Sequence, residues 1–282
     1  MEILEMITLE KLTGLDDKDL ADVFSKNPRA YMAVKGAVAE KHLELLLKSY
    51  CRDGRIAGFR AASGDFEKDF YVTLNSNQEV SLECKNVQVL NTKTKGVLPE
   101  YISFLVDSGY LEEEWLLDSF KSLTQKGLVP ENTVDSLQGL LEAIRKGKAK
   151  ISTEFYKCLP QEYRESGVPR YEFSASLVKE SNVNNIHTDT FISQFDSHQL
   201  SIDFQRTRNS TDEDGDTKKQ RFYRVDEIDV VGACLFSRTM KWQFIFGHSK
   251  HFEKHPTYED RYTNRFFIEE GKWSSDLLES LN

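Results

Sequence analysis

No apolar run in this chain approaches the roughly 20 residues that carry a helix across a bilayer, so no membrane-spanning segment is expected. The opening Met-Glu-Ile-Leu-Glu-Met is acidic and lacks the basic start and apolar stretch of a secretory signal, which predicts a cytoplasmic protein. Cysteine is scarce. Cys51, Cys84, Cys158 and Cys234 lie far apart with no C-x-x-C pair, a pattern that argues against a structural zinc site and against a disulfide framework and leaves them as reduced packing residues. Positive charge is in deficit as well: 37 Lys and Arg stand against 46 Asp and Glu, for a net charge of -9. That balance argues against a general polyanion binder, since non-specific nucleic-acid affinity comes from clustered cations. It leaves room for a local basic groove. Cations do concentrate at Lys93 and Lys95, at Arg145-Lys-Gly-Lys-Ala-Lys150, and over Arg206, Arg208, Lys218, Lys219, Arg221 and Arg224.

What is present suits a globular chain. At 282 residues, 39% hydrophobic and 29% charged, it can bury one large core or two modest ones. The first thirty or so residues carry apolar positions at helical intervals (Leu12, Leu15, Leu20, Val23, Phe24), with Asp16-Asp17 as a helix start, and read as short helices packed on the main body. From Ala33 to Tyr50 an amphipathic helix is predicted, its stripe formed by Ala37, Leu43, Leu46, Leu47 and Tyr50. Glu40 falls within that stripe, where a carboxylate is costly unless something positive compensates it. Arg52-Asp-Gly54 ends the helix and Arg55 to Ala61 reads as a strand. Helical patterns return over Pro99 to Val106, Glu112 to Lys126 and Val134 to Lys148. The last third reads as strands at Tyr171 to Leu177, Leu200 to Arg208, Ile228 to Phe236 and Trp242 to Phe246, with an acidic loop from Asn209 to Lys219.

The most informative stretch is Asp69-Phe-Tyr-Val-Thr-Leu, the polar turn Asn75-Ser-Asn-Gln78, and Val80-Ser-Leu-Glu83-Cys-Lys85. Two β-rich runs around an Asn/Ser turn predict a hairpin, and alternate residues of a strand share a face, so Glu83 and Lys85 point together and Cys84 points away. With the turn centred on Asn77, Asp69 falls opposite Lys85 and diagonal to Glu83, within cross-strand reach. Two carboxylates and an ammonium there make a metal site with a water-activating neighbour.

The order of a helix carrying Glu40, a strand, a strand beginning at Asp69, a strand carrying Glu83-Cys84-Lys85 and then a helix resembles the common core of the PD-(D/E)xK nucleases, the restriction-endonuclease-like superfamily. The likeness covers residues 33–110 by motif and the last third more loosely, in Asp203-Phe-Gln-Arg-Thr-Arg208 and Glu227-Ile-Asp-Val-Val. One departure is that Lys68, not Pro, precedes Asp69, which leaves Asp65 and Glu67 as competing candidates for the first acid. The resemblance implies an α/β fold: a restriction-endonuclease-like core with a mixed central sheet flanked by helices (33–110), a helical N-terminal extension (1–32), a helical insert (111–169) and a β-rich C-terminal part completing the sheet and the DNA surface (170–282). It implies Mg²⁺, or Mn²⁺, held by Asp69, Glu83 and the Cys84 carbonyl. Lys85 would orient or deprotonate the attacking water or stabilise developing charge, and Glu40 would complete the site. The implied activity is sequence-specific cleavage of double-stranded DNA by a homodimer, a two-fold protein matching a two-fold site. A structure-specific or repair nuclease and a non-catalytic DNA-binding module are the alternatives. Arg206 and Arg208, alternating on one face of the strand from Leu200 to Arg208, and Lys93 are the candidate DNA contacts. A plainer reading of the acid-x-lysine triplet is a surface ion pair, and of the two arginines a bridge to the acidic loop.

Overall fold

The computed structural model describes residues 8–64, 67–164, 167–195, 198–206 and 219–282. The chain divides into two compact units, one formed by Met1–Val34 with Asn91–Phe173 and the other by Lys35–Leu90 with Ser174–Asn282. The fold is mixed α/β with a mixed sheet. Among the described residues no helix is long and apolar enough to cross a membrane.

The first unit is helical: α1 (Leu9–Thr13), α2 (Asp17–Lys26), the start of α3 (Pro28–Arg52), α4 (Leu98–Asp107), α5 (Glu113–Thr124), α6 (Leu137–Arg145), α7 (Thr153–Lys157), α8 (Gln161–Arg164) and most of α9 (Val168–Ser176). Asp16 caps α2 as its sequence suggests, its carboxylate accepting the Asp19 amide at 2.8 Å. Only Leu20 of that helix is buried, whereas Leu12 and Val23 are exposed. Leu98 and Ile102 of α4 share a core with Leu116, Phe120, Leu140, Ile144 and Phe155, which explains why the break in the chain falls after Leu90 and not after residue 110. The run from Tyr171 to Leu177, expected as a strand, is helical. Its buried positions Arg170, Tyr171, Phe173 and Ser174 include pairs three and four apart, and Pro169 sits in the first turn, where a missing amide costs nothing.

The second unit carries β1 (Gly58–Ala61), β2 (Phe70–Thr73), β3 (Glu79–Asn86), α10 (Glu180–Asn184), α11 (Thr188–Ser193), β4 (Ser201–Asp203), β5 (Val230–Cys234), α12 (Phe236–Thr239), β6 (Phe244–His248), β7 (Arg265–Phe267), β8 (Trp273–Ser274) and α13 (Leu277–Ser280). Its main sheet has the order β1-β2-β3-β5-β6-β8, with β3 and β5 parallel and every other neighbour antiparallel. Parallel neighbours need a crossover, and residues 91–173 lie between them in the chain. β5 reads as a continuous apolar run because both its faces are covered: Val230 and Cys234 join the core with Ala39, Leu43 and Leu47 of α3, and Val231 and Ala233 join the core built around Phe204, Ile245 and Trp273. Leu43 and Leu47 are fully buried, so truncating either to Ala costs about 2–5 kcal/mol.

α3 begins earlier than its pattern suggests. Asn27 accepts the Ala30 amide at 3.3 Å and Pro28 occupies the first helical position. Its buried stripe runs through Ala39, Leu43, Leu47 and Tyr50, while Ala37 and Glu40 are exposed, so Glu40 lies beside the stripe and not in it. The stretch from Leu200 to Arg208 is also shorter than expected. β4 covers only Ser201–Asp203 and pairs with β7 in a separate two-stranded sheet, and Arg206 lies beyond it.

Gly247 on β6 is opposite Trp273 of β8, and a Cβ there would stand 2.8 Å from the indole ring. Gly247→Ala is therefore expected to destabilise the protein by about 1–3 kcal/mol through overpacking, read as a lower midpoint in denaturant with an unchanged slope.

Candidate active site

The hairpin forms, with a pairing register two residues from the expected one. Phe70 pairs with Leu82, Val72 with Val80 and Thr73 with Glu79, so the reversal is centred on Ser76. The cause is a five-residue connection, closed by the Leu74 amide on the Gln78 carbonyl (2.8 Å) and the Asn77 amide on the Leu74 carbonyl (2.9 Å), with Asn77 in the left-handed region at φ 66°. Continuing that register by one residue sets Asp69 across from Glu83, not from Lys85. The two acids consequently stand closer to facing each other than the sequence suggests.

On β3, Val80, Leu82 and Cys84 enter the core under α3, and Ser81, Glu83 and Lys85 take the other face. Glu83 is 5% exposed, and its Oε1 accepts from Lys85 Nζ at 2.6 Å and from the hydroxyl of buried Tyr223. Asp69 Oδ2 accepts the Cys84 amide at 2.7 Å. Among the described residues, Glu83 Oε2 and Asp69 Oδ1 have no hydrogen-bond partner.

These groups alter one another. Burial, and then the negative charge of Glu83, push the Asp69 carboxyl up to about 7, with Glu40 adding to the rise and the Lys85 ammonium and Cys84 amide opposing it. Burial works against charge on Lys85, yet the Glu83 carboxylate, Tyr223 and Asp69 outweigh it and hold Lys85 protonated well above the ordinary lysine range. Tyr223 is lifted by burial and by Glu83. Burial also raises Glu40, with Lys85 opposing and Glu83 adding. Glu40 thus senses the pair electrostatically, while among the described residues its carboxylate makes no hydrogen bond with either partner.

Several other expectations resolve at this site. Glu67 is committed to its own loop, accepting from the Ser63 amide at 2.6 Å and the Ser63 hydroxyl at 3.0 Å, so it does not compete with Asp69. Asp65 and Arg208, together with residues 209–218 of the acidic loop, lie outside the described residues. Arg206 is not offered outward: its guanidinium pairs with Glu227, as does buried Lys68. Lys93 belongs to the other unit.

Tyr223, Lys68 and Glu227 are the residues that sequence reasoning missed as parts of this cluster. Three cations surround the Tyr223 ring, with Lys68 Nζ at 5.2 Å, Lys85 Nζ at 5.3 Å and Arg206 Cζ at 5.3 Å from its centroid. Burial works to raise Glu227, but the Lys68 hydrogen bond, the Arg224 amide and the charges of Lys68 and Arg206 hold it below the ordinary carboxylate range. Only Lys68, adjacent to Asp69, carries a signal of position in the sequence. Tyr223 arrives from the far third of the chain.

No protein-family model, curated protein or solved structure matches the chain. The chemistry is therefore read from the cluster itself. Among the described residues no three His, Cys, Asp or Glu side chains are grouped to hold a metal. A hard divalent cation such as Mg²⁺ needs fewer: it keeps several waters and takes one or two carboxylates, with backbone oxygen as a supplement. Asp69 and Glu83 meet that requirement. Each has one carboxylate oxygen unengaged, and Asp69, raised first by burial and then by the charge of Glu83, is a carboxyl whose ionised form a cation would favour.

Proposed function

We propose that this protein is a Mg²⁺-dependent endonuclease of the PD-(D/E)xK superfamily, cutting double-stranded DNA at a specific sequence as a cytoplasmic homodimer. The observation that carries the reading is Asp69 bonded to the Cys84 amide at 2.7 Å, one residue from Glu83, with Lys85 bonded to Glu83 at 2.6 Å. Its support in the architecture is the succession α3, β1, β2, β3 and then helices, followed by β5 laid parallel beside β3. The succession of helix, three strands and helix is the order that the resemblance to the superfamily implies.

Asp69 and Glu83, with the Cys84 carbonyl, would hold the cation, which when bound supplies an acidic water and charge neutralisation at the scissile phosphate. The chain's own groups divide the remaining work. Lys85, held protonated by Glu83 in the metal-free protein, would donate positive charge and hydrogen bonds to a non-bridging phosphate oxygen. Glu83 fixes that ammonium and Tyr223 fixes Glu83, so neither needs to reorganise when charge develops. Glu40 adds negative potential from α3 and draws a cation toward the pair.

Withdrawal of Arg206 into its pair with Glu227 removes one side chain that would read bases, and it favours the structure-specific or repair nuclease as the second reading. Digestion of supercoiled plasmid separates the two. Discrete fragments that require Mg²⁺ and vanish in EDTA are expected of the site-specific enzyme; cutting confined to branched or damaged DNA supports the rival, and no cutting of any DNA with Mg²⁺ or Mn²⁺ rejects both.

A further inference from the structure

The helical unit contains a feature that the proposed catalysis does not use. Lys93, Lys157 and Arg164 line one cavity of about 460 Å³, together with Ser152, Thr153 and Tyr156. In a chain carrying nine more negative than positive charges, no carboxylate among the described residues lines this cavity. None of the three cations forms an ion pair among the described residues, and the Arg164 Nε is buried without a hydrogen-bond partner. Elsewhere in the same unit Arg145 pairs with Glu100 and Lys126 with Glu154.

The arrangement is held in place. Thr92 and Tyr156, both buried, share a hydrogen bond that fastens the segment carrying Lys93 to α7, and Lys93 Nζ lies 5.0 Å from the centre of the Tyr156 ring. The Lys93 amide is donated to Asn91 Oδ1 at 3.0 Å, which fixes the same segment locally. Three like charges sharing one cavity repel, and an orphaned guanidinium N–H loses the hydrogen bond it had to water. A multiply charged anion removes both costs. Phosphate suits these donors better than a carboxylate does, since a guanidinium fork matches two of its oxygens while the ammonium groups and a hydroxyl take the others. The volume lies in the range of small-molecule sites and accommodates a nucleotide-sized group.

We propose that this cavity binds the phosphate groups of a phosphate-bearing ligand, either a free polyphosphate such as a nucleoside triphosphate or the backbone of a nucleic acid. The inference stands independently of the nuclease reading, because every residue in it belongs to the helical unit.

The test is calorimetric titration of the full chain with sodium tripolyphosphate in EDTA, repeated in the presence of a short oligonucleotide. One saturable site is expected. Arg164→Gln, and separately the double substitution Lys93→Gln with Lys157→Gln, are each expected to weaken binding roughly tenfold or more, the loss of charge-assisted hydrogen bonds. Both lysines are exposed, so the double variant folds even if Arg164→Gln does not. A Glu83→Gln protein is expected to bind tripolyphosphate as the parent does, which keeps failure of this site distinct from failure of the nuclease reading. Competition by the oligonucleotide assigns the backbone as the source of the phosphates, and its absence assigns a free polyphosphate. Binding that is absent, or undiminished in the double lysine variant, overturns the proposal.

Discussion

Glu83→Gln is expected to lower plasmid cleavage in Mg²⁺ by roughly 10²–10⁴-fold while DNA binding and helix content persist. The carboxylate has three duties here: one oxygen is the joint acceptor for Lys85 Nζ and the Tyr223 hydroxyl, and the other is available to a cation. An amide of the same size keeps the packing and one acceptor, but it carries no charge to balance the ammonium or to hold the metal. The change also has a cost in stability. Removing one partner of a buried ion pair costs about 3–5 kcal/mol when the other is left wholly buried, and with the Lys85 side chain 21% exposed the lower end applies. Lys85→Ala is expected to abolish cleavage and to cost at least as much stability, since it strands the more buried carboxylate of Glu83, 7% exposed, with the Tyr223 hydroxyl as its remaining bonded partner. A plasmid nicking assay beside urea unfolding of the two variants checks both statements. A Glu83→Gln enzyme that cuts at the parent rate would remove the catalytic role.

Asp69→Asn is expected to raise the stability of the metal-free protein at pH 8 and to leave it unchanged near pH 3. In the folded protein burial and Glu83 lift the Asp69 carboxyl from 3.8 to about 7, so between these values the native state holds a proton that the unfolded state has released. Stability then falls by about 1.4 kcal/mol per pH unit as pH rises across that window, and the penalty is complete above the folded value. Because Asp69 retains some contact with solvent, the total is on the order of 2–3 kcal/mol and not the full product of the window. Asparagine never ionises, and its carbonyl still accepts the Cys84 amide. The difference in unfolding free energy between variant and parent, measured in EDTA from pH 4 to pH 8, is expected to grow with pH. A flat difference would show that Asp69 is already ionised at pH 4 in the folded chain.

The parts of this structure legible in the sequence are those governed by one local period. The alternation through Val80, Leu82 and Cys84 against Glu83 and Lys85 was enough to give β3 its two faces, and the four-residue spacing of Leu43 and Leu47 was enough to give α3 its buried stripe. Register was not legible: the pairing lies two residues from the expected one, a shift that keeps each side chain on its face, because it depends on how the turn closes and on Asn77 accepting a positive φ. Glu40 was misplaced for a similar reason: a small shift of phase along α3 moves a residue from the stripe to its edge. The segment at Tyr171 alternates apolar and polar residues as a strand does, yet its helical burial is decided by tertiary packing with Tyr101 and Phe104. Tyr223 and Glu227 had no local signature as members of this cluster, and Lys68 had only its place beside Asp69. Tyr223 reaches Glu83 through a side-chain hydrogen bond between positions 140 residues apart, and Lys68 meets Glu227 across 159, contacts that pattern within a window cannot report.

Mn²⁺ or Mg²⁺ binding by the pair of acids can be measured most directly by titrating the metal-free protein with Mn²⁺ in the presence of an uncleaved DNA and following free ion by electron paramagnetic resonance. Saturable uptake by the parent, reduced tenfold or more in both Asp69→Asn and Glu83→Gln, is the expected result, in line with the loss of a charged ligand from a hard-cation site. Uptake equal in parent and variants, or none by the parent with DNA bound, would contradict it.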